Sequence, residues 1–88
     1  MESLKLRDAD VVWREVEGEV VAFDMRSSNY LSVNRAGACL WPMLAKGATT
    51  ESLVSRLAET FGLTDLEAQT DVAAFVAELR SKGLLETE

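Results

Sequence analysis

Four carboxylates (Asp65, Glu67, Asp71, Glu78), one thiol (Cys39) and three aromatic side chains (Trp13, Tyr30, Trp41) are the groups of this 88-residue chain best suited to chemistry or stacking. Paired carboxylates can hold a metal or move a proton, a thiolate can attack a carbonyl, and an aromatic face can receive a base. Each needs a partner that the sequence does not supply. The chain has no histidine, which removes Ser-His-Asp and Cys-His arrangements, and one cysteine alone cannot build the S/N ligand set of a zinc site. Cys39 falls among apolar neighbours with no lysine, arginine or helix N-terminus set to stabilise a thiolate, and reads as a small buried hydrophobe. Asp65 and Glu67 suit the positive end of a helix dipole, while Asp71 and Glu78 lie two turns apart on a solvated face, where they could also attract a basic partner. Gly18, Gly37, Gly47, Gly62 and Gly83 are scattered and form no phosphate cradle. No catalytic residue, cofactor or metal is therefore expected, and the reading is of a binding protein, not an enzyme.

Composition narrows the partners. The net charge of −6 and pI near 4.6 repel phosphate backbones and anionic membrane surfaces, so nucleic acid and membrane are not expected as partners. Trp13, Tyr30 and Trp41 have no basic groove around them and read as packing residues. A single cysteine and the lack of a charged-then-apolar opening segment suit a reducing, cytoplasmic setting. At 48% hydrophobic residues the chain reads as one globular domain spanning residues 1–88, with no internal repeat or linker.

The elements that would position these groups can be read in order. Val11–Val16 and Glu19–Asp24 are rich in β-branched and aromatic residues, and Glu17-Gly18 between them supplies the positive φ of a tight hairpin. A polar connection leads to a third strand, Asn29–Val33, completing an antiparallel meander with Leu31 and Val33 on one face and Tyr30 and Ser32 on the other. Asn34 caps a first helix that ends at Gly47, and Pro42 inside it predicts a kink or a break. Thr49 or Thr50 caps a second helix carrying Leu53, Leu57 and Phe61, with Gly62 as its stop. Thr64 and Glu67 have capping-box spacing at the head of a third helix, along which Ala68, Val72, Phe75, Val76 and Leu79 form an apolar side. Leu84-Leu85 can fold back as a clip on the core, whereas Met1–Leu6 and Thr87-Glu88 read as loose ends.

The order and spacing of Tyr30-Leu31-Ser32-Val33-Asn34, Gly37, Leu40-Trp41, Gly47, Thr49 with Leu53, Asp71-Val72, Phe75-Val76, Leu79 and Gly83-Leu84-Leu85 resemble the PqqD-like family, the precursor-peptide recognition elements of ribosomal natural-product pathways. Val33 stands where leucine is usual, and Pro42 departs from the pattern inside the first helix. The resemblance spans Val11 to Glu86 and implies an α+β, winged-helix-like fold: a short three-stranded antiparallel sheet followed by three helices. It further implies that a leader peptide binds as an added strand and is handed to a partner leader peptidase or other modifying enzyme. A free-standing chain of this size is most similar to the small proteins of lasso-peptide pathways.

The residues agree with that implication. The third strand has few candidates to pair its outer edge, and an extended peptide satisfies such an edge by strand addition while its side chains enter a groove against a neighbouring helix. The expected site is the backbone of Asn29, Tyr30, Leu31, Ser32 and Val33, with an apolar wall from Leu31, Val33, Val72, Phe75, Val76 and Leu79. Asp71 and Glu78 would meet basic leader residues, and the small side chains of Ala73, Ala74 and Ala77 would admit the peptide closely. About four backbone bonds at ~1 kcal/mol and about three apolar anchors at ~2 kcal/mol, less about 2–5 for ordering the peptide, correspond to sub-millimolar to micromolar affinity. Two other readings compete: a winged-helix nucleic-acid binder, opposed by Glu67, Asp71 and Glu78 on the helix that would enter the groove, and a PqqD-type chaperone subunit of a radical enzyme.

Overall fold

Helix and strand boundaries follow the capping and turn chemistry of the sequence closely. The computed structural model describes residues 3–7 and 9–86. In chain order the elements are β1 (Ser3–Leu4), β2 (Val11–Val16), β3 (Glu19–Asp24), β4 (Asn29–Val33), α1 (Arg35–Lys46), β5 (Ala48–Thr49), α2 (Thr50–Phe61) and α3 (Asp65–Ser81). β2, β3 and β4 form the expected antiparallel meander in the order β2-β3-β4. Glu17 and Gly18 take φ of 53° and 82° at the first turn, the left-handed pair that matches the twist of a two-residue hairpin.

Helices cover one face of the meander. Val20, Ala22 and Val33 point to that side and are buried with Leu40, Trp41 and Leu44 of α1, Leu53 and Leu57 of α2, and Ala68, Val72 and Leu79 of α3. Trp41 joins the layers: its ring lies 6.1 Å from Trp13 of β2 in a T-shaped contact and 6.5 Å from Phe75 of α3, separations at which aromatic pairs attract. The Asn34 side chain accepts the Gly37 N–H, Thr49 and Ser52 make a reciprocal box, and Thr64 and Glu67 make another. Each satisfies N–H groups that a helix start leaves without intrahelical partners.

Two expectations need correction. Of the kink or break expected at Pro42, the break does not occur: α1 runs as one helix from Arg35 to Lys46, with Pro42 on its exposed side. Residues 3–6 are not a loose end: Ser3 and Leu4 pair with Thr49 and Ala48, and Leu4 and Leu6 are buried. Met1, Glu2, Thr87 and Glu88 lie outside the described residues.

The N-terminal segment is instead sewn into the domain. Leu6 N–H donates to Leu44 O at 2.9 Å, Arg7 N–H to Leu84 O at 2.7 Å and Glu86 N–H to Lys5 O at 2.8 Å. Leu84 and Leu85 close over the core as the apolar clip that the sequence suggested. Arg7 adds a clasp, its guanidinium donating to Gly83 O at 2.9 Å and to Asp24 Oδ1 at 2.5 Å. Among the described residues no helix is long and apolar enough to cross a membrane.

Candidate functional site

β4 is an edge strand. β3 pairs along one side of it, Val20 to Val33 through Asp24 to Asn29, and no described strand pairs along the other. β2 is the opposite edge, but the two differ in kind. β2 carries Arg14 and Glu15 in its middle, the sort of charge that discourages further pairing, whereas Asn29-Tyr30-Leu31-Ser32-Val33 contains no charged residue.

The open edge of β4 is flanked by α3. A cleft of about 460 Å³ is lined by Asn29, Tyr30 and Leu31 on the strand side and by Ser81, Lys82 and Leu84 at the end of α3, with Ala22, Asp24 and Ser27 completing it. A second hollow of about 300 Å³ sits where β4 runs into α1, with Asn34 and Gly37 facing Asp71, Ala74, Phe75 and Glu78 of α3. The start of β4 thus lies near the last turn of α3 and its end near the middle of that helix, so strand and helix run in opposite senses along one furrow.

Gly37 sets how closely these walls approach. A Cβ at this position would collide with Val33 Cγ1 and stand 2.8 Å from the Phe75 ring. Any larger residue would push α1 from β4 or Phe75 from the furrow. The sequence reading named Gly37 only as part of the family pattern and gave it no such role.

The wall residues divide by burial. Leu31, Phe75 and Val76 are half-buried, so part of each is open to solvent. Val33, Val72 and Leu79 are buried core residues, with little or no surface open to solvent. Asn29, Tyr30, Ser32, Asp71 and Glu78 are exposed. Asp71 and Glu78 share the second hollow with Phe75. Ser81, Lys82 and Leu84 were not among the expected site residues, because they lie beyond the apolar period of α3 and only the fold brings them opposite Asn29.

Asp24 is the buried charge of the site. Burial raises its carboxyl, but the Arg26 backbone N–H, the Ser27 hydroxyl and the Arg7 guanidinium outweigh that and hold it below its ordinary value of 3.8. Arg26 N–H donates to Oδ1 at 3.0 Å. Cys39, expected to be buried, is half-buried, and its thiol donates to Thr60 Oγ1 at 3.6 Å between α1 and α2, away from the furrow. No cluster of histidine, cysteine and carboxylate suited to a metal occurs among the described residues.

Fold and furrow describe a small α+β domain with a free strand edge beside a helix. The chain belongs to the PqqD family: residues 19–85 match the family described as coenzyme PQQ synthesis protein D (PqqD). No curated protein matches the sequence. Among solved structures the chain is similar to TbiB1 in complex with the TbiA(beta) leader peptide, with 25% identity, 96% of each chain covered and a TM-score of 0.86. It also shares its fold with a lasso peptide synthetase B1 complexed with the leader peptide, at 23% identity, 96% coverage of this chain, 98% of the other and a TM-score of 0.82.

Proposed function

We propose that this protein is a non-catalytic recognition element that binds the leader segment of a ribosomally made precursor peptide and delivers it to a leader peptidase or other modifying enzyme, in lasso-peptide biosynthesis. The observation that carries the proposal is the unpaired, uncharged edge of β4 lying along the furrow beside α3. An extended peptide added there pairs with the free N–H and C=O groups of Asn29–Val33, and its alternate side chains enter the furrow over Leu31, Phe75 and Val76. Val33, Val72 and Leu79 hold that surface in place. Asp71 and Glu78 favour basic leader residues at one end, and Lys82 favours an acidic or hydroxyl-bearing one at the other. Family membership and the two leader-bound neighbours support this reading.

The nucleic-acid alternative has less support, since α3 exposes Glu67, Asp71 and Glu78 and the chain carries a charge of −6. Titration of a fluorescent precursor leader peptide tests the proposal against Phe75→Asp and Val76→Asp. Folded variants should lose about tenfold or more in affinity, as expected for a buried anchor. Unchanged affinity in both would refute the furrow as the site.

A further inference from the structure

Arg7 lies outside the furrow and still holds both of its walls. The wide end of the cleft has Asp24, Ser27 and Asn29 on the strand side and Ser81, Lys82 and Leu84 on the helix side. Arg7 does not line that space, yet one arm of its guanidinium grips Asp24 Oδ1 and another the carbonyl of Gly83, between Lys82 and Leu84. Its backbone N–H donates to Leu84 O at 2.7 Å, and its Nε donates to Ala9 O at 3.2 Å. Asp24 in turn stands opposite Asn29, the first residue of the open edge, in the register of β3 and β4. A residue of the N-terminal segment thus ties the end of β3, and through it the start of β4, to the turn after α3.

The chemistry of the tie sets both spacing and charge. A guanidinium is a planar fork with donors at fixed angles, so two acceptors gripped by one fork are kept at one separation. The Arg7 and Asp24 side chains are both largely buried, which protects the pair from the screening that weakens surface ion pairs. Arg7 also offsets the Asp24 carboxylate. The remaining charge on the cleft lining is the Lys82 ammonium, to which no carboxylate is paired among the described residues.

We propose that Arg7 is a positioning residue for leader recognition: it fixes the spacing of the cleft walls and balances the charge of Asp24, so that the docked N-terminal segment and the bound leader strengthen each other. The inference rests on the leader-binding reading above. A peptide seated between β4 and the turn after α3 needs the two walls at one distance, and the clasp supplies that distance before the peptide arrives. By linkage, whatever factor the clasp adds to leader affinity, the leader adds to the docking of the clasp. With Arg7 in place this end of the cleft favours an acidic leader side chain over a basic one; without it, an unbalanced Asp24 attracts the basic one.

The test titrates the full chain with the fluorescent leader peptide and with two series of that peptide in which a single Glu or a single Lys is walked along the segment. Arg7→Gln should bind the parent peptide about threefold or more weaker, the scale on which residues outside a contact alter binding. At the peptide position over the cleft the wild type should prefer Glu to Lys, and Arg7→Gln should narrow or reverse that preference. Arg7→Lys keeps the charge without the fork, so it should lose affinity and retain the preference. A merely structural role for Arg7 would lower the urea midpoint and leave both readouts of the folded protein unmoved. Hydrogen exchange on the wild type needs no substitution: saturating leader should slow the amides of Arg7 and Glu86, which bond to Leu84 O and Lys5 O away from the β4 edge.

Unchanged affinity and unchanged Glu/Lys preference in Arg7→Gln would overturn the proposal while leaving leader binding intact. Should that variant fail to fold, the exchange measurement decides, and Arg7 and Glu86 amides that leader does not slow would overturn it. A wild type that binds no leader would remove the underlying reading, and the coupling with it.

Discussion

Gly37 and Asp24 show how single residues set the geometry of the furrow. At Gly37 the missing side chain lets Val33 and Phe75 occupy the same small space. Gly37→Ala should cost about 1–3 kcal/mol by overpacking, read as a lower urea midpoint at unchanged m-value, and should weaken leader binding by moving Phe75. A variant as stable and as tight-binding as the wild type would show that the contact yields freely. Asp24 works through charge. Its carboxyl is held below 3.8 in the folded state, so its stabilisation is fully present above the unfolded value and is lost as pH falls through the lower folded value. Asp24→Asn should therefore be less stable than wild type at pH ~7 and converge with it towards pH ~2, measured as urea midpoints across that range. Equal midpoints throughout would mean that the Arg7 clasp contributes nothing.

At the scale of elements, how far each piece was legible depends on the range of the signal that made it. The meander was legible because β-branched runs and the Glu17-Gly18 turn act locally, and α2 and α3 because Thr49, Thr64 and Glu67 cap them through neighbours three residues away. β1 and β5 escaped notice because two-residue strands carry no periodicity and their pairing, Ser3 to Thr49, spans half the chain. The apolar side of α3 was legible as a stripe, but period alone could not say which members face the core. Val72 and Leu79 do, while Phe75 and Val76 keep partial exposure. The role of residues 3–7 yields a direct prediction. Leu6→Ala should destabilise the domain by about 2–5 kcal/mol, the usual cost of truncating a buried leucine, with denaturant unfolding as the measurement. A loss near zero would return this segment to the status of a tail.

For the molecule as a whole, the two sheet edges and the two sheet faces divide the labour. One face carries the core and the other stays bare; one edge bears Arg14 and Glu15, the other none. The asymmetry explains why a strand would join at β4 and not at β2: only β4 has both an uncharged backbone edge and a helix to hold the incoming side chains. Amide hydrogen exchange with and without saturating leader peptide tests this most directly. Alternate amides within Asn29–Val33 should slow strongly on binding while the free edge of β2 keeps its rate. Leader binding that leaves every β4 amide unprotected would contradict the account.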